Sequence, residues 1–186
     1  MRKVYFVRHA KPDFSVKDDF TRPLLQSSLS DCKKITKFLL NKNITKIFSS
    51  PYKRSIDTIK DLANSLNLKI NYVYDFRERK IDNIWIENFN EFSKKQWNDF
   101  DYKLSNGESL KEVQKRNIEA LVKILDENSD ENIVIGTHGT ALSTIINYFD
   151  NKFNYNEFEK IKSIMPFIVC FTFDKGNVIS IEKIIL

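Results

Sequence analysis

Hydrophobic positions along the chain follow two alternating periods. Lys3 to Val7 is a short, β-rich apolar run that predicts a buried strand. Ser28 to Asn41 then places Leu29, Cys32, Ile35, Phe38 and Leu39 at helical spacing. Lys46 to Phe48 is a second short strand, closed by Ser49-Ser50-Pro51. Ser50 is suited to cap the next helix, with Pro51 at its first position, where a missing N–H costs nothing. That helix would bury Ile56, Ile59, Leu62, Ala63 and Leu66. Lys69 to Tyr74 reads as a third strand.

Residues 75 to 107 are less regular. Phe89, Phe92, Trp97 and Phe100 suggest short packed helices, and Asn106-Gly107 is a turn. A long amphipathic helix is expected from Ser109 to about Glu127, with Leu110, Val113, Ile118, Leu121, Val122 and Leu125 inward. Asn132 to Gly136 is a fourth strand, Thr140 to Phe149 a helix, and Phe158, Ile161 and Ile164 mark another short helix. Ile168 to Phe173 and Val178 to Ile185 form a terminal pair of strands around Lys175-Gly176-Asn177. Strands alternating with helices imply an α/β protein, a three-layer α/β/α sandwich with a mostly parallel sheet. The last pair adds an antiparallel element. Without repeats or linker-like tracts, residues 1–186 read as one domain.

Composition narrows the function. The formal charge of +5 comes from 30 basic and 25 acidic residues that are interleaved along the chain. That pattern argues against a dedicated nucleic-acid surface and suits small anionic substrates. No apolar run reaches the roughly 18–20 residues of a membrane span, and the short apolar start ends at Arg8-His9, so the expected location is the cytoplasm with no membrane partner. Cys32 and Cys170 have no metal-like spacing and read as reduced thiols.

Rarity carries the sharpest signal. The chain has two histidines, and His9 and His138 each directly follow a predicted strand. Ligands of open α/β sheets bind just beyond the carboxyl ends of strands. Arg8 precedes His9 and can aim a fork of donors at a phosphate. Arg54 lies in the first turn of the helix after Ser50-Pro51, where the helix N-terminus already favours an anion. Gly139 would let backbone N–H groups approach a ligand at the start of the next helix. The pattern describes a cationic pocket with two imidazoles. It contains neither a carboxylate or cysteine cluster for a metal nor a glycine-rich phosphate loop, so no metal or other cofactor is expected.

These residues also carry a resemblance. Val7-Arg8-His9-Ala10-Lys11 resembles the Arg-His-Gly signature of the histidine phosphatase, or phosphoglycerate mutase-like, superfamily. Ser49-Ser50-Pro51-Tyr52-Lys53-Arg54-Ser55-Ile56-Asp57-Thr58 is similar to that family's Ser-Ser-Pro-x-x-Arg-x-x-x-Thr segment, Asn106-Gly107-Glu108-Ser109 to its Gly-Glu-Ser helix start, and Ile135-Gly136-Thr137-His138-Gly139 to its second histidine motif. Four motifs in family order span most of the chain. The resemblance implies that His9 is the nucleophile and that Arg8, Arg54 and His138 form the phosphate clamp. It also implies a proton-donating carboxylate between the second and third motifs. Glu78 stands in the right place, with Asp75, Asp82 and Glu87 as competitors. Ala10 replaces the family's glycine, and Pro12 and Ser15 stand where Thr and Asn are common; Ser15 keeps a hydroxyl for the phosphate.

The activity implied is hydrolysis of small phosphate monoesters through a phosphohistidine on His9, with a cationic His138 assisting. A phosphoglycerate mutase would return the phosphoryl group to a bound hydroxyl, and a non-catalytic module would only bind the phosphorylated ligand. Both histidines and an eligible Glu78 favour an enzyme.

Overall fold

The side-chain alternation of the strands decides the architecture. In the first strand, β1 (Arg2–Arg8), Val4 and Phe6 point into one apolar core while Tyr5 and Val7 point into a second. A strand buried on both faces needs a cover on each. The computed structural model describes residues 1–129 and 131–186 and supplies both covers. After β1 come α1 (Leu29–Leu39), β2 (Ile44–Ser49), α2 (Lys53–Leu66), β3 (Ile70–Tyr72) and α3 (Phe89–Asn98). They are followed by α4 (Leu110–Glu127), β4 (Asn132–Thr137), α5 (Gly139–Phe149), α6 (Tyr155–Ile161), β5 (Phe167–Asp174) and β6 (Asn177–Ile184).

The strands form one six-stranded sheet in the order β3-β2-β4-β1-β5-β6. β1, β2, β3 and β4 run parallel, and β5 and β6 add the antiparallel edge. On one face, Ile35 and Leu39 of α1 and Ile59 and Leu62 of α2 pack on Tyr5, Val7, Ile47 and Val134. On the other, α4, α5 and α6 cover Val4, Phe6, Ile133, Ile135 and the Phe171 row of β5. The fold is thus the three-layer α/β/α sandwich.

This layout creates a switch point. The helices that follow β1 and β2 pack on one face, while α5, which follows β4, packs on the other. Beyond the carboxyl ends of β1 and β4 the chain diverges and leaves a crevice.

Two local expectations change. The helix expected at Ser50-Pro51 begins at Lys53 with Tyr52 as its cap position. The Ser50 hydroxyl instead accepts Tyr52 N–H at 3.3 Å and meets His138. On α4, Ser109 forms a full capping box with Glu112. Val122, however, is 48% exposed, and Ile124 takes an inward place. An 18-residue helix at 3.6 residues per turn cannot keep Leu121 and Val122 on the same face. Leu121→Ala should therefore cost about 2–5 kcal/mol of unfolding free energy. The neighbouring Val122→Ala should stay within about 0.5 kcal/mol. Urea denaturation of the two variants checks the pair.

Candidate active site

The crevice is built by the end of the β1–β4 ladder. Arg8 pairs with Thr137, and His9 N–H donates to the Thr137 carbonyl at 3.2 Å. One residue past that contact, the two chains present His9 and His138 with ring centroids 5.2 Å apart. β2 adds a third strand end, where Ser50 N–H donates to the Gly136 carbonyl at 2.9 Å. Arg54, one residue into α2, reaches back over the ends of β1 and β4.

His9 is held in one tautomer. Its Nδ1 lies 2.8 Å from the Ala10 carbonyl, which can only accept, so Nδ1 carries the proton. Nε2 is then a lone pair, and Arg54 Nε–H donates to it at 3.2 Å. His138 Nε2 lies 2.8 Å from the Ser50 hydroxyl, and its Nδ1 is buried with no partner. Tyr52 packs edge-on against the His138 ring at 5.1 Å and beneath the Arg54 guanidinium, also at 5.1 Å.

Arg8, Arg54, His9 and His138 are all buried. Burial penalises a charged imidazole, and the neighbouring guanidiniums add to the penalty, Arg54 above all. Both histidines are therefore held well below their usual range and are neutral near pH 7. This corrects the expectation of a cationic His138. The Arg8 guanidinium is pushed down to about 10 by burial, partly offset by Glu78.

Two of the sequence-derived assignments take different forms here. Arg8 Nη1 donates to the Ile161 and Ile164 carbonyls, and Nη2 to that of Lys162, at 2.9–3.0 Å. Only its buried Nε is left without a partner. Gly139 is needed because a side chain there would run into this guanidinium: an added Cβ would lie 2.9 Å from Arg8 Nη2. Its absent side chain makes room for Arg8.

Glu78 reaches the site from the segment after β3. One carboxylate oxygen accepts Thr140 N–H at 3.0 Å, and the other accepts Ala141 N–H at 3.1 Å and Arg79 N–H at 2.8 Å. It thus sits on the N-terminus of α5, one helical turn from His138. The competitors look elsewhere. Asp75 pairs with Arg77, Asp82 bonds Asn106 and its own loop, and Glu87 is exposed. Ser15 is exposed and spends its hydroxyl on Asp13 at 2.6 Å, so no contact joins it to the histidines among the described residues.

Four further residues contribute that the sequence had not assigned to the site. Ser50 and Tyr52 touch His138, and from the segment after β1 Asp19 pairs with both Arg54 and Arg22. Ser50 and Tyr52 lie within the Ser-Ser-Pro-x-x-Arg segment, and Asp19 and Arg22 carry opposite charges three residues apart, so a signal existed for each.

The chain is similar to known proteins along its length. The model of the histidine phosphatase superfamily (branch 1) matches residues 4–179. A search of curated proteins found no match. Among solved structures, YhfR from Bacillus stearothermophilus superposes with a TM-score of 0.77 at 20% identity, covering 96% of this chain and 94% of that one. A phosphoserine phosphatase variant from Entamoeba histolytica, in complex with phosphoserine, gives 0.78 at 18% identity, covering 97% and 96%. A mycobacterial glucosyl-3-phosphoglycerate phosphatase with bound VO3 gives 0.78 at 14% identity, covering 100% and 99%. At these identities the structures establish the shared fold.

The buried neutral histidines have a thermodynamic consequence. The unfolded chain takes up protons on His9 and His138 as the pH falls below about 6.5, and the folded chain does not. Stability present above that pH is therefore lost on acidification, by up to about 1.4 kcal/mol per pH unit for each histidine. Unfolding measurements between pH 6.5 and 5 should show this slope, and His138→Asn should reduce it by one histidine's share.

Proposed function

Because the chain belongs to the histidine phosphatase superfamily, we propose that it hydrolyses small phosphate monoesters, with His9 as the phosphoryl acceptor. The observation that carries this reading is the bond from His9 Nδ1–H to the Ala10 carbonyl. It commits the ring to one tautomer and leaves Nε2 as a nucleophilic lone pair, buried beside two guanidiniums and a second imidazole. The named phosphatases of the same fold are consistent with this reaction class.

In the first step Nε2 forms a bond to phosphorus while the ester P–O bond breaks. The lone pair must first be released by Arg54 Nε–H. Negative charge on the equatorial oxygens is met by Arg54, by the unpartnered Arg8 Nε and by His138 Nδ1. His138 enters this step as a neutral imidazole, so with the proton on Nδ1 it donates a hydrogen bond, and Ser50 donates its hydroxyl proton to Nε2.

The departing alkoxide takes a proton from Glu78, which must enter this step as the neutral acid, the form that the water proton of the second step restores. To give it, the carboxyl must leave the Thr140 and Ala141 N–H groups. Those two donors of the first turn of α5 then become available to a phosphoryl oxygen. In the second step water attacks the phosphohistidine. Its proton passes to Glu78, phosphate leaves, and His9 is regenerated. The enzyme is expected to need no metal. Among the described residues there is no group of three or more His, Cys, Asp or Glu side chains that could hold one.

A leaving-group comparison tests the assignment. An alkyl phosphate expels an alkoxide that needs a proton, whereas a nitrophenyl phosphate expels a phenolate that is stable without one. Glu78→Gln should slow single-turnover phosphoenzyme formation from the alkyl ester more than from the nitrophenyl ester, by about 10²–10⁴-fold. Glu87→Gln should leave both unchanged, and His9→Ala should abolish both. Equal losses for both esters in Glu78→Gln would remove Glu78 as the acid.

A further inference from the structure

The segment between β1 and α1 closes over Arg54 with its own anion. Arg54 Nη1 donates to the Asp19 carbonyl at 2.5 Å, and Nη2 lies 3.1 Å from Asp19 Oδ1. The same Oδ1 accepts Arg22 Nη1 at 2.8 Å. Arg22 is itself buried, at 7% exposure, and its Nε and Nη2 donate to the Val16 and Lys17 carbonyls at 2.8 and 3.1 Å. Two buried guanidiniums thus share one carboxylate oxygen, and one of them also holds the lone pair of His9.

The two sides of this contact are unequal. The arginines are fixed by buried bonds, whereas the Asp19 side chain is 44% exposed and sits on a surface segment. A half-exposed carboxylate keeps much of its hydration, and an ion pair of that kind contributes about 0–1 kcal/mol. The two guanidiniums repel each other unless an anion lies between them. A dianionic phosphoryl group brings more charge and more acceptor oxygens than a carboxylate. Among the described residues Asp19 is the carboxylate in direct ion-pair contact with Arg22, and Asp18 acts on it only from farther off.

We propose that Arg22 is a further phosphoryl-binding residue and that Asp19 is the displaceable occupant of its site. The proposal rests on the phosphatase reading of the same pocket. A phosphoryl oxygen takes the place of Asp19 Oδ1 between Arg22 and Arg54, and the half-exposed Asp19 side chain turns toward solvent while the backbone that fixes Arg22 stays in place. Arg54, drawn onto the phosphoryl group, releases His9 Nε2. Filling the site and freeing the nucleophile are then one event, and the lone pair stays capped until an anion arrives. The ligand class is a dianionic phosphate monoester, with inorganic phosphate as the product that fits the same place.

The test is calorimetric titration of inorganic phosphate into the full chain and its variants. Asp19→Asn and Asp19→Ser should each bind phosphate about fivefold more tightly, because the internal competitor is gone. Arg22→Met should bind it about tenfold more weakly or worse. Two Asp19 substitutions on a half-exposed side chain keep the test open if Arg22→Met does not fold. Equal or weaker binding in both Asp19 variants would overturn the displacement. Unchanged binding in Arg22→Met would overturn the role of Arg22. Arg54→Met separates the proposal from its premise. Binding lost in Arg54→Met, with no effect of Asp19, removes the proposal alone. Binding that survives Arg54→Met places the anion elsewhere and removes the pocket reading with it.

Discussion

The parallel pairing of β1 with β4 is the constraint on which the site depends. The ladder from Val4↔Ile133 to Arg8↔Thr137 ends one residue before each histidine, so register alone brings the imidazoles to a 5.2 Å separation. A slip of one residue would turn every side chain of β1 to the opposite face. The cores forbid that slip, because Val4 and Phe6 are packed on one side and Tyr5 and Val7 on the other. The apolar pattern of a short strand therefore sets the position of His9.

A second scaffold holds Glu78. Arg116 of α4 pairs with both oxygens of Glu108, and its guanidinium also donates to the backbone carbonyls of Asp75, Arg77 and Glu78. Glu108 in turn accepts Arg77 and the Lys80 N–H, and this network holds its carboxyl below the usual range despite partial burial. The segment that delivers Glu78 has no regular secondary structure beyond one 3-10 turn, so these charge-assisted bonds take the place of a ladder. The Gly-Glu-Ser start of α4 thus caps a helix and braces the segment that carries Glu78.

Much of this was legible in the sequence, for identifiable reasons. Strand and helix periods differ enough that all six strands and the two-sided cover could be placed, and two rare histidines at strand ends marked the crevice. The chemistry of single side chains was harder. Ser50 was read as a helix cap, because a hydroxyl before Pro51 fits that role equally well; only the tertiary fold shows it against His138. The Arg8 fork is largely spent on carbonyls at residues 161, 162 and 164, a contact spanning about 150 positions that no local pattern announces. Ser15 lies at the right distance along the chain, yet Asp13, two residues away, captures its hydroxyl. The neutral state of His138 follows from burial beside guanidiniums, which a motif does not reveal.

The account turns on which nitrogen of which histidine carries the phosphoryl group. The measurement is phosphorus NMR, with mass-spectrometric mapping, of enzyme quenched in base during turnover. The tautomer held by the Ala10 carbonyl predicts an acid-labile phosphoramidate on Nε2 of His9. A phosphoryl group on Nδ1 of His9, on His138 or on a serine would contradict it.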